Sequence, residues 1–269
     1  MSGTLWENEN YLSDIKFINA SYIREYDLVK ANISALLYMG AITPEKYKSL
    51  YIMDKDNRER EVGLMIKSDR ELGEIKSRGI IEAKKMLFEI NDIDDLNVLE
   101  IRNDAVFVIG DKLRYSKVND FFDFKLKNEF TSYAYISKKL SIFYRYDPIT
   151  QMNTIDIKGI KDNKLELHAN YFLSFLCETF YMLQNDTLNN TLKYISEFYR
   201  AYINREMPLE YYRSFDAESL YKVSFKNITY SLYTVEPKEI MNLNIDINVY
   251  IIRTLYSYIS NLYFNQKRR

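Results

Sequence analysis

Two aspartates stand out among the residues that could do chemistry, because the chain sets them in contrasting contexts. Asp27 lies in Arg24-Glu25-Tyr26-Asp27-Leu28-Val29-Lys30-Ala31-Asn32-Ile33-Ser34, where a β-prone run closes and a predicted helix opens. Asp104 interrupts two apolar β-prone runs, Val98-Leu99-Glu100-Ile101 and Ala105-Val106-Phe107-Val108-Ile109, where a chain usually makes a tight hairpin. Aspartate suits both places on structural grounds alone, as a helix cap and as a turn former. Carboxylates brought together are also what a hard cation such as Mg2+ takes, one or two at a time, alongside waters and phosphate oxygens.

Other chemistry is thinly supplied. His168 is the sole histidine and falls in an apolar helical pattern; the sole cysteine, Cys177, cannot complete a zinc site with it. Their spacing does not put them on one helix face, so Cys/His nucleophilic chemistry has no support.

With 269 residues the chain can form one large or two small domains and bury a sizeable core. A single cysteine excludes an internal disulfide and points to a reducing, cytoplasmic setting. The start, Met1-Ser2-Gly3-Thr4-Leu5-Trp6-Glu7, has neither a basic nor an apolar leader segment. No stretch approaches the roughly 20 apolar residues of a membrane span, so a soluble, non-exported protein is expected. A net charge of −1 leaves no global field for phosphate, and any nucleic-acid contact must come from a local patch. Heavy use of Ile, Tyr, Asn and Lys with only 7 Gly and 4 Pro fits an AT-rich coding source such as many bacteriophages or low-GC bacteria.

The elements that must position the aspartates follow from periodicity. A strand is predicted near residues 22 to 28, then a short helix from Ala31 to Met39 that stops at Gly40. Thr43 and Pro44 read as the cap and first position of the next helix. Residues 58 to 90 are helical in pattern, with a break near Ser68-Asp69. After the Asp104 hairpin, residues 121 to 146 alternate as two strands joined near Ser137-Lys138-Lys139, and Ile155-Asp156-Ile157-Lys158-Gly159 reads as a strand ending in a turn. Helices are predicted over 165–184, 188–205 and 247–264, with a short one opening at Pro208. A mixed α/β half thus precedes a mainly helical half.

This order of segments resembles the palm and thumb of family B DNA polymerases over roughly residues 20 to 205. Asp27-Leu28-Val29-Lys30-Ala31-Asn32-Ile33-Ser34 is similar to the family's first motif, and Arg102-Asn103-Asp104-Ala105-Val106-Phe107 to its third, Asp-Thr-Asp-Ser-Val-Phe, with Asp104 on the second aspartate. Gly79-Ile80-Ile81-Glu82-Ala83-Lys84 resembles the helix preceding that motif. Ser137-Lys138-Lys139-Leu140-Ser141 is similar to the Lys-Lys-Arg-Tyr-Ala element, and Ile155-Asp156-Ile157-Lys158-Gly159-Ile160 to the Lys-Gly element that leads into the thumb.

The resemblance implies an α+β fold: a palm of mainly antiparallel sheet with packed helices over 1–160, carrying a short fingers-like helical insertion at about 41–68, and a thumb-like helical domain over 161–269. It implies template-directed nucleotidyl transfer with Mg2+ or Mn2+, Asp27 and Asp104 as catalytic metal ligands, and the Leu28 backbone carbonyl as a further ligand. Asn32, Arg58, Arg60 and Lys67 would meet a nucleoside triphosphate, and Lys138, Lys139, Lys158 and Gly159 the primer-template DNA. The chain also departs from the pattern. Arg102 stands where the third motif has its first acid, and Asn32 where the family has its sugar-gating tyrosine. The Lys-x3-Asn-Ser-x-Tyr-Gly fingers motif is absent, and nothing before Asp27 resembles an exonuclease. The alternative reading is a non-catalytic palm-shaped accessory protein of a phage or virus, acting in the host cytoplasm, with nucleic acid or a protein as its partner and no membrane contact.

Overall fold

The strand predicted before the first helix forms at Ile23–Leu28 (β2), after a two-residue strand at Phe17–Ile18 (β1). The structure, a computed structural model, describes residues 5–7, 10–160, 165–212, 222–225, 228–231 and 245–268. Lys30 takes left-handed backbone angles (φ 49°), turning the chain out of β2 into α1, Ala31–Tyr38. Thr43 caps α2, Pro44–Tyr51, its hydroxyl accepting from the Lys46 amide at 3.2 Å. Helices α3, Lys55–Ser68, and α4, Glu71–Ile90, divide at the predicted break. The hairpin follows as β3, Val98–Arg102, and β4, Ala105–Ile109.

Strands β5, Phe124–Phe130, β6, Ser132–Ser137, β7, Leu140–Asp147, and β8, Met152–Lys158, come next. Then follow α5, Phe172–Asn185, α6, Leu188–Ile203, the strands β9, Lys222–Phe225, and β10, Ile228–Ser231, and α7, Ile245–Lys267. The chain is α+β, as the sequence predicts, and its described residues form two antiparallel sheets of four strands and the β9–β10 pair. Parts of the expected helical region, 161–164, 213–221, 226–227, 232–244 and 269, lie outside the described residues.

Two compact units divide the chain: Met1–Asp14 with Tyr22–Glu129, and Ile15–Ser21 with Phe130–Arg269. In the first, the sheet order is β3-β4-β2-β5. Helix α4 lays Ile80, Ala83, Leu87 and Phe88 in one core with Ala31 and Ala35 of α1 and with Tyr26, Leu28, Val106, Val108 and Phe124 of the sheet. Fully burying one such large side chain contributes about 1.5–3 kcal/mol. The two helices meet closely at Gly79, where a Cβ would lie 2.8 Å from the Ala35 Cβ and 2.9 Å from its carbonyl oxygen. The α2–α3 segment packs on this pair through a small separate cluster of Ile33, Leu36, Ile42, Leu50 and Val62.

In the second unit the antiparallel sheet runs β1-β6-β7-β8. Its apolar face, Ala134, Ile136, Ile142, Tyr144 and Ile157, shares a core with α5, α6 and α7. Phe175 and Phe198 stack at 3.8 Å between α5 and α6, and Tyr144 stacks on Phe180 at 5.2 Å.

Two sequence expectations change here. The alternating run from residue 121 holds three strands up to residue 147, because β5 joins the first sheet and β6 the second; alternation reports a pleat without reporting its sheet. Helix α5 begins at Phe172, and residues 167–170 are turns. Leu165 and Glu166 are helical and Leu165 is buried in the same core as α5, so apolar periodicity runs on across the turns that separate the two helical pieces.

Candidate functional site

The register of the first sheet brings the two aspartates together. Asp27 pairs across the β2–β4 ladder with Ala105, the residue that follows Asp104. Asn103 and Asp104 form the turn between β3 and β4, with Asn103 left-handed at φ 53°, a conformation its short polar side chain tolerates. The Leu28 amide donates to the Asp104 carbonyl oxygen at 3.1 Å, so main-chain atoms tie the two segments.

The electrostatics around the pair are specific. Burial raises the Asp104 carboxyl above the usual carboxylate range, and the charges of Asp27 and Glu59 add to that, against its own backbone hydrogen bond and Lys127. Lys127, from β5, sets its ammonium 3.0 Å from Asp27 Oδ2 and 3.3 Å from Glu25 Oε1. Partial burial disfavours the Lys127 charge, but the Asp27 hydrogen bond and the Glu25 and Asp27 charges outweigh it and raise the lysine's pKa. Glu25 is buried and accepts also from Asn128 Nδ2 at 2.6 Å. Asp27 Oδ1 is buried with no hydrogen-bond partner. Arg102, where the resemblance has an acid, pairs with buried Glu100 at 2.6 Å.

Asp104 opens onto a cleft of about 440 Å3 whose other walls include Asn32 of α1, Lys55 and Glu59 of α3, Lys76, Ser77 and Ile80 of α4, and Asn103. Asn32 Nδ2 donates to Glu59 Oε2 at 2.6 Å. Two carboxylates, amide groups and two ammonium groups therefore share one concavity. Among the described residues no group of three or more His, Cys, Asp or Glu converges to hold a metal. The donors for a hard cation are Asp27, with its unpartnered oxygen, and Asp104.

Of the residues predicted from sequence, Asn32 and Asp104 line this cleft, and Asp27 and Leu28 are joined to the Asp104 turn through the sheet and the Leu28 amide. Arg58, Arg60 and Lys67 are on α3 but do not line it; Arg58 donates to the Met53 carbonyl at 3.1 Å. Lys138 and Lys139 form the β6–β7 turn of the second unit. Lys158 ends β8 paired with Asp156 at 2.7 Å, and Gly159 (φ 100°) has the Lys139 carbonyl where a Cβ would sit. Sequence reasoning missed Lys55, Lys76, Lys127 and Glu25. Lys76 carried a usable signal, lying four residues before Ile80 on the same side of a helix.

The chain belongs to the Bacteriophage PBS1 gene 130 protein family, whose model matches residues 1–260, and is therefore a bacteriophage-type protein. No curated protein matches it. No helix among the described residues is long and apolar enough to cross a membrane.

Proposed function

We propose that this phage protein is a polymerase-like palm that binds nucleoside triphosphate and primer-template DNA and transfers nucleotides at Asp27 and Asp104. The observation that carries this reading is the β2–β4 register, which pairs Asp27 with Ala105, the neighbour of Asp104, while Asp104 lines a cleft that also bears Lys55 and Lys76. Asp27, Asp104 and the Leu28 carbonyl are the residues that would hold Mg2+ or Mn2+. When bound, such an ion lowers the pKa of an attacking hydroxyl and neutralises phosphate charge. The protein's own part is positioning, since nucleotidyl transfer asks for little covalent chemistry from side chains. Lys55 and Lys76 draw the triphosphate in, with Arg58, Arg60 and Lys67 on the Lys55 helix adding positive charge. Asn32 and Ser77 offer polar contacts to the nucleotide. Lys138, Lys139, Lys158 and Gly159 offer the DNA backbone a basic turn.

The test is primer extension with Mg2+ or Mn2+, comparing the unaltered protein with Asp27→Ala and Asp104→Ala. Incorporation that both substitutions abolish supports the reading. A protein that neither incorporates nucleotide nor binds it in a metal-dependent way rules it out.

Two observations favour a second reading, a non-catalytic accessory protein that keeps the palm shape to bind nucleic acid or a protein partner in the host cytoplasm. A lysine already holds Asp27, and a guanidinium stands at Arg102 in place of an acid. DNA binding without incorporation, undiminished by Asp104→Ala, is its signature.

A further inference from the structure

Lys127 reaches from β5 to a place between two carboxylates of β2. Its ammonium lies 3.0 Å from Asp27 Oδ2 and 3.3 Å from Glu25 Oε1. The two acids differ in freedom. Glu25 is buried and held a second time by Asn128, whereas the Asp27 side chain is 33% exposed and its second oxygen has no partner. The Lys127 side chain is 51% exposed, so its ammonium can turn from Asp27 towards water while it keeps its ion pair with Glu25. A divalent ion arriving at Asp27 therefore meets a carboxylate already engaged by a positive charge, and that charge repels the ion at short range.

We propose that Lys127 is a built-in counter-ion that competes with divalent metal for Asp27 and so sets the metal affinity of the site. This rests on the reading of Asp27 and Asp104 as metal ligands. In the absence of metal, Lys127 keeps the acidic end of the sheet from repelling itself. When metal binds, Lys127 gives up the Asp27 oxygen and keeps only Glu25. Metal affinity is thereby held down by a residue that is not itself a ligand.

The experiment is titration of Mn2+ into the full chain at low ionic strength, followed by the loss of the free-ion electron paramagnetic resonance signal. It compares the unaltered protein with Lys127→Met, Lys127→Gln, Lys127→Arg and Asp104→Ala. Removing the charge in Lys127→Met is expected to tighten Mn2+ binding about tenfold, the order expected for a unit charge a few ångströms away in partly solvated surroundings. Lys127→Arg, which keeps the charge, is expected to stay within about threefold of the unaltered protein. If Lys127→Met does not fold, Lys127→Gln, which keeps a neutral donor to Asp27, carries the same expectation. Unchanged or weaker binding in the neutral variants, with unaltered binding that Asp104→Ala abolishes, overturns the counter-ion role and leaves the metal site standing. No Mn2+ binding by the unaltered protein or by either neutral variant overturns both.

Discussion

The Leu28 amide donates to the Asp104 carbonyl at 3.1 Å, so the strand that carries Asp27 and the turn that carries Asp104 are joined by backbone alone. Either carboxylate can then be altered without dissolving the link, which makes the pair open to substitution.

Asp104→Asn tests the environment of that carboxyl. Burial first, and the nearby Asp27 charge, raise its pKa above the ordinary 3.8. A folded-state pKa above the unfolded one means that the fold holds the proton more tightly. The associated stability is present below 3.8 and is lost as pH rises through the folded value. The asparagine variant is therefore expected to melt higher than the unaltered protein at neutral pH without divalent ions, and the gap should close below pH 3.8. Thermal unfolding followed by circular dichroism across that range checks it, and a gap that ignores pH contradicts it.

Gly79→Ala tests the seating of α1 on α4. The added methyl would lie 2.8 Å from the Ala35 Cβ and 2.9 Å from its carbonyl oxygen, closer than van der Waals contact allows. Overpacking of this kind costs about 1–3 kcal/mol, read as a lower urea midpoint at unchanged slope. Asn32 rides on α1 and Lys76 on α4, so the cleft should lose nucleotide affinity along with stability.

Lys55→Ala and Lys76→Ala should each weaken nucleoside triphosphate binding by roughly tenfold at low salt, with a smaller effect at high salt. Fluorescence titration of a labelled nucleotide measures it. Parallel titrations of Arg60→Ala and Lys67→Ala decide which set of cations meets the phosphates.

Gly159→Ala places a side chain at φ 100° and drives it into the Lys139 carbonyl. It is expected to cost more than about 1 kcal/mol and to displace the Lys138-Lys139 turn. A lowered melting temperature together with weaker retention of DNA is the expected outcome.

Much of the frame was legible because its signals are local. The Thr43 cap, the Gly40 stop, the break before Arg70 and the hairpin at Asp104 each depend on residues within a few positions of one another. The setting of each aspartate was legible for the same reason, a strand end for Asp27 and a local hairpin for Asp104, whereas the long-range β2–β4 pairing is what brings them together. Lys127 was not, because only the long-range pairing of β5 beside β2 brings it to Asp27. The cations of the cleft were mislaid for a related reason. Helical periodicity gives a face to Lys55 and Lys76 but does not say which face meets the turn at Asp104. Sequence character changes near residue 160, where strands give way to helices. The compact units divide earlier, at Glu129, because the strands from β6 to β8 share their core with the helices that follow.

Residues 15–21 belong to the second unit although the first unit flanks them on both sides in sequence. There Phe17 and Ile18 pair with Tyr133 and Ala134 of β6, and Phe17 stacks on Tyr258 of α7 at 5.3 Å. A gene fragment cut at residue 130 would leave this short strand behind and expose β6 as a bare edge, an invitation to sheet-to-sheet aggregation. Because the second unit takes this strand from within the first unit's sequence, dissection calls for circular permutation or co-expression of the strand and not for simple truncation.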